Sequence, residues 1–98
     1  MDENTTRSCI QAHADAVVRG DMDHVVSDFK EELRPQVPEI GKQLPQPVTS
    51  AEVLGVEMGD DSSYATIKYT GPDKELTIRT QWQDVSGQPQ IAGAEPLG

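Results

Sequence analysis

Ser62-Ser63-Tyr64-Ala65-Thr66-Ile67-Lys68-Tyr69-Thr70-Gly71-Pro72-Asp73-Lys74-Glu75-Leu76-Thr77-Ile78-Arg79-Thr80-Gln81-Trp82-Gln83-Asp84 reads as two strands joined by a turn. Strand side chains alternate between faces with a period of two. Residues 62–70 thus set Ala65, Ile67 and Tyr69 against Tyr64, Thr66 and Lys68. Residues 74–84 set Leu76, Ile78, Thr80 and Trp82 against Glu75, Thr77, Arg79 and Gln81. Gly71-Pro72-Asp73 between them carries turn residues.

The same pattern continues outward. Upstream, residues 50–58 alternate, with Leu54, Val56 and Met58 on one face, and Gly59-Asp60-Asp61 makes a turn. Downstream, Ser86-Gly87 is a third turn into a weak strand over 88–95, led by Ile91 and interrupted by Pro89 and Gly93. Short turns require antiparallel neighbours, so the last strands form a meander. One sheet face is apolar. The other is mixed, with Tyr64, Thr66, Thr77 and Arg79 beside Val53 and Ala92. A half-polar face of this kind stays wet or buries itself against a second copy.

Before residue 47 the period changes to that of helices. Ile10, Ala14, Val17 and Val18 form one stripe of a helix over 5–19, with Asn4, Thr5 or Thr6 as cap candidates and Gly20 as its stop. Asp21 caps a second helix over 22–32, whose apolar stripe is Met22, Val25, Val26, Phe29 and Leu33. His24 and Asp28 lie opposite that stripe. A short third helix over roughly 37–44 turns Val37, Ile40 and Leu44 inward before Pro45-Gln46-Pro47 ends it. Helices followed by antiparallel strands give an α+β architecture: N-terminal helices, about 5–44, packed on a four-stranded antiparallel sheet, about 48–96.

At 98 residues the chain is expected to be a single domain. It has 8 basic and 17 acidic residues, a net charge of −9. That balance repels phosphate backbones and anionic membrane surfaces, so neither nucleic acid nor membrane is an expected partner. No apolar run reaches the length of a membrane span. Met1-Asp2-Glu3-Asn4 does not read as a secretory signal, and the lone Cys9 has no internal disulfide partner. Together these point to a cytoplasmic setting.

The run Ala14-Asp15-Ala16-Val17-Val18-Arg19-Gly20-Asp21-Met22-Asp23-His24-Val25-Val26-Ser27-Asp28-Phe29 resembles the opening helical hairpin of the SnoaL-like, or nuclear transport factor 2-like, superfamily. The segment from Arg79 to Ile91, with Trp82 before the Ser86-Gly87 turn, resembles that superfamily's last hairpin. The resemblance implies a curved, cone-like (cystatin-like) sheet around a long helix, a cavity between them, and dimers through the sheet. It also implies relatives that are isomerases, cyclases, dehydratases or binding domains. The chain departs from the family between Lys30 and Gln36, where almost no room is left for the usual strand pair. The cavity is therefore expected to be smaller or open on one side.

Enzymes of that kind need a cavity base. The inward strand positions supply no carboxylate or histidine, only the polar tips of Tyr69, Thr80 and Trp82. His13, at the edge of the first helix's stripe, is the weak catalytic candidate, with Asp15 and Asp28 as lesser ones. His24 and Asp28, four apart, suit a helix-surface pair. Neither a metal nor a cofactor is expected. Trp82 and Tyr69, completed by Phe29 and Met58, are expected to wall a site for a small apolar ligand. The leading expectation is a non-catalytic SnoaL-like domain acting as a homodimeric interaction or ligand-binding module. The alternatives are a minimal isomerase, cyclase or dehydratase, and an acidic antitoxin, immunity or regulatory protein that captures a basic partner.

Overall fold

The computed structural model describes residues 2–97. Helix α1 spans Glu3–Arg19 and α2 spans Met22–Ser27. A 3-10 helix over Glu31–Gln36 leads into α3, Val37–Gly41. Strands β1 (Ser50–Glu57), β2 (Ser63–Thr70), β3 (Glu75–Val85) and β4 (Gln88–Pro96) follow. They form an antiparallel sheet in the order β1-β2-β3-β4, which does not close into a barrel. The architecture is the α+β arrangement read from the period change.

Local chemistry sets the element ends. The Asp2 side chain, two residues before the first of the expected candidates, accepts the Thr5 N–H and caps α1. Gly20 stops α1 with φ 73°, its N–H reaching the carbonyls of Ala16 and Val17. Ser86 and Gly87 both have positive φ, 55° and 86°, which is the turn a two-residue hairpin needs. Gly71 meets a different demand. A side-chain carbon there would collide with Pro45 and with the Pro47 carbonyl oxygen, so glycine lets the 45–47 segment lie against the sheet.

The second helix is shorter than expected, ending at Ser27 rather than residue 32. Beyond it the backbone joins the sheet instead: Ile91 donates its N–H to the Asp28 carbonyl at 2.6 Å, and Lys30 donates to the Ile91 carbonyl at 2.9 Å. Phe29 forms a parallel bridge to Ile91. These bonds tie down β4, so the strand that reads as weakest carries a fully buried Ile91.

Two bulges change face assignments. Between Val53 and Gly55 the β1–β2 register shifts, and Leu54 is the extra residue. Leu54 is therefore 51% exposed, not inward, while Val53 packs on the core rather than on the mixed face. Ala92 is the extra residue opposite the Gln81–Trp82 step, which lets Ile91 and Ala94 both face inward. The core lies between that sheet face (Ala65, Ile67, Tyr69, Ile78, Trp82) and the helices, through Ile10, Ala14, Val25 and Phe29. Burying each large side chain is worth about 1.5–3 kcal/mol. An isolated helix of α1's length is marginal in water, so packing on the sheet holds it.

Among the described residues no helix is long and apolar enough to cross a membrane.

Candidate functional site

A cavity of about 670 Å³ opens between the ends of the helices and the sheet. Val17 and Arg19 of α1, Met22 and Val25 of α2, and Phe29 form one wall. Val37 and Ile40 of α3 and the segment 41–48 form a second. Tyr69, Ile78, Thr80 and Ala94 of the sheet, with His13 of α1, complete the lining. The buried liners (His13, Phe29, Tyr69, Thr80) mark the floor, and the exposed Arg19 and Lys42 mark the mouth.

The floor holds a built polar group. His13 Nδ1 lies 2.9 Å from Asp28 Oδ2, and the same oxygen is 3.3 Å from His24 Nε2. The His13 ring stands edge-on to Phe29 and to Trp82, with centroids at 6.1 and 5.7 Å. Trp82 Nε1–H donates to Thr80 Oγ1 at 2.9 Å, and that hydroxyl donates to the Ala65 carbonyl at 3.1 Å. Thr80 is therefore occupied. Burial first, and the Asp28 charge second, hold the Tyr69 hydroxyl well above the ordinary phenol range, so it stays protonated. The same two causes push the Cys9 thiol up, which quiets it as a nucleophile.

The mouth is electrically unlike the rest of the chain. Arg19 and Lys42 line it and, among the described residues, no Asp or Glu lines the cavity, although acids outnumber bases by about two to one overall. Arg19 pairs with Asp21 at 3.5 Å and Lys42 with Glu39 at 3.1 Å. Both pairs are exposed, and such pairs are worth only about 0.2–1 kcal/mol, so either cation can turn to another anion at small cost.

Of the four expected wall residues, Phe29 and Tyr69 line the cavity. Trp82 is sealed behind His13, and Met58 lies beyond the far end of β1, where Ser63 Oγ is 3.4 Å from its sulfur. His13 reaches the cavity from α1, as the candidate reading requires. Asp15 does not; it is exposed and accepts the Gln11 amide at 3.0 Å. Asp28 pairs with His24 at 3.3 Å, as the four-residue spacing suggests, but it is not on the solvent side: α1 packs against α2 and brings His13 Nδ1 to the same oxygen. Sequence reasoning missed Arg19, Lys42 and the 41–48 wall. It had one usable signal for the His13–Asp28 pair: the two stand equidistant from the Gly20-Asp21 joint, where a folded hairpin brings them level. Among the described residues no three His, Cys, Asp or Glu side chains are arranged to hold a metal ion.

The fold and cavity define an α+β domain with helices closing one face of an open four-stranded sheet. Among solved structures it is similar to the solution structure of a SEC-C motif containing protein from Rhodopseudomonas palustris. The TM-score is 0.68, over 89% of this chain and 74% of that one, at 17% identity, a likeness of fold alone. No family model matches the chain, and no curated protein matches it. These findings correct the family expectation: the fold neighbour is a SEC-C motif containing protein, not a SnoaL-like or cystatin-like one. The roles drawn from that expectation fall with it. The dimeric SnoaL-like module and the minimal isomerase, cyclase or dehydratase find no support there, nor does the acidic partner-binding protein.

Proposed function

We propose that the cavity binds an amphipathic carboxylate, its apolar body among Val17, Val25, Phe29 and Ile40 and its charged head at Arg19 and Lys42. One observation carries this reading: the cavity lining is largely apolar, carries two cations and, among the described residues, has no acidic side chain, in a chain of net charge −9. Elsewhere on such a surface an anion is repelled; at this mouth it meets two cations held only by exposed, weak ion pairs, which a ligand carboxylate can share. The volume falls within the range of small-molecule sites, about 300–1,000 Å³. The lone, quiet Cys9 suits a cytoplasmic setting. The acidic balance speaks against nucleic acid and membrane surfaces as partners.

The test is calorimetric titration with octanoate, decanoate and dodecanoate, and with decanol and decyltrimethylammonium as head-group controls. Each added methylene should tighten binding by about fourfold until the cavity is full, since burying one is worth about 0.8 kcal/mol. Decanoate should bind at least about tenfold more tightly than the cation, and the double variant Arg19→Glu, Lys42→Glu should abolish that preference. Equal binding of all three head groups sinks the reading.

A further inference from the structure

The floor of the cavity carries two hydrogen-bonding groups that the protein leaves without partners. His13 and Tyr69 are each at least nine-tenths buried and both line the cavity. His13 spends Nδ1 on Asp28, and its Nε2 makes no hydrogen bond to a described residue. The Tyr69 hydroxyl likewise makes none. Neither atom is walled off, because Thr6 Oγ1 alone is both sealed and unbonded among the described residues. A buried polar group without a partner is costly, so these two are groups that await one.

Their chemistry is complementary rather than alike. The Asp28 carboxylate oxygen accepts from Nδ1, which places a ring hydrogen there, and a ring carrying that one hydrogen presents Nε2 as an acceptor. Tyr69 keeps its hydrogen and presents a donor. Thr80, the remaining hydroxyl at the floor, is already committed to Trp82 and Ala65. One acceptor and one donor lining the same cavity match a hydroxyl, which gives one hydrogen and receives another. A carbonyl would satisfy Tyr69 and leave Nε2 bare; a methyl would leave both bare.

We propose that the ligand carries a hydroxyl at the end that reaches the cavity floor, where His13 Nε2 accepts its hydrogen and the Tyr69 hydroxyl donates to its oxygen. The ligand class is thereby a hydroxylated, apolar-bodied carboxylate. This rests on the amphipathic-carboxylate reading above and adds the far end of the molecule to it.

The experiment pairs each plain fatty acid with its ω-hydroxy counterpart (octanoate, decanoate and dodecanoate) in calorimetric titrations of the full chain. At the length that spans mouth to floor, the hydroxylated acid should bind about tenfold more tightly than the plain one, as sites built to hydrogen-bond a hydroxyl discriminate strongly. Tyr69→Phe should erase that preference, with circular dichroism showing the variant folded. Nitrogen-detected NMR of His13 should show Nε2 unprotonated in the free protein and shifted by the hydroxylated acid only. Plain acids that bind more tightly at every length, with a ratio untouched by Tyr69→Phe, overturn this proposal and leave the carboxylate reading standing. Failure of every acid to bind overturns both.

Discussion

His13 and Asp28, fifteen positions apart, meet through Nδ1 and Oδ2 at 2.9 Å, with side chains only 5% and 12% exposed. The contact locks three things at once: the turn between α1 and α2, the tautomer of the ring, and the point where the chain leaves α2 for the sheet. Asp28 Oδ2 also lies 3.3 Å from His24 Nε2, and the Asp28 carbonyl accepts the Ile91 N–H.

Removing the carboxylate should therefore act on stability as well as on the cavity. Asp28→Ala leaves a buried ring nitrogen unpaired, a loss of about 1–3 kcal/mol in urea unfolding. Asp28→Asn keeps an oxygen that Nδ1–H can reach and should lose less. An unchanged midpoint in the alanine variant would mean that the pair holds nothing.

The β1 bulge makes opposite predictions for adjacent residues. Leu54 is exposed and Val53 packs on the core. Leu54→Lys should change stability by no more than about 0.5 kcal/mol, whereas Val53→Lys should cost at least about 1 kcal/mol. Thermal unfolding of the two variants reads this directly. The reverse order would mean an unbulged strand, with Leu54 inward as plain alternation has it.

Asp2 ties the start of α1 to pH. Its carboxyl is held below the ordinary carboxylate range by the Thr5 hydroxyl first and the Thr5 N–H second. A lowered folded value adds stability above the unfolded value and surrenders it as pH falls through the folded one. Asp2→Asn keeps a capping oxygen without the charge. The thermal midpoint of the wild type minus that of Asp2→Asn should be positive at neutral pH and should shrink below about pH 4. A difference that stays flat through the acid range would remove the charge from the account.

Tyr69 should mark the alkaline limit. Its hydroxyl is raised by burial and then by Asp28, so its contribution is complete below the unfolded phenol value and is lost as pH rises beyond it. In a Tyr64→Phe variant, Tyr69 is the one remaining tyrosine. Its phenolate absorbance should appear only as circular dichroism reports unfolding, and Tyr69→Phe should move the alkaline midpoint to higher pH. Phenolate formation in a folded protein near the ordinary phenol value would contradict the buried floor.

Most of the fold was readable because it rests on short-range rules. The alternation over 63–70 and 75–85, the glycines at 20, 71 and 87, and the helical stripe through Ile10 and Ala14 each name their element locally. The misreadings sit where one segment answers to another. Phe29 and Leu33 continue the helical spacing of Val25 and Val26, but β4 takes the backbone hydrogen bonds that would have continued α2. Leu54 obeys strict alternation in sequence, and only the register with β2 reveals the extra residue.

The site divides in the same way. Phe29, Tyr69 and His13 were legible as inward or near-inward side chains, because strand parity and helical spacing decide which face a residue takes. The sequence by itself thus determined the α+β order, the meander, and the acidic character of the chain. Tertiary structure alone decided that Trp82 is sealed behind His13, that Asp28 turns inward, and that Arg19 and Lys42 line one cavity. The physical reason is distance along the chain. Pattern reports a residue's face on its own element, whereas a cavity is made by faces of several elements, and their meeting is settled only when the whole core closes.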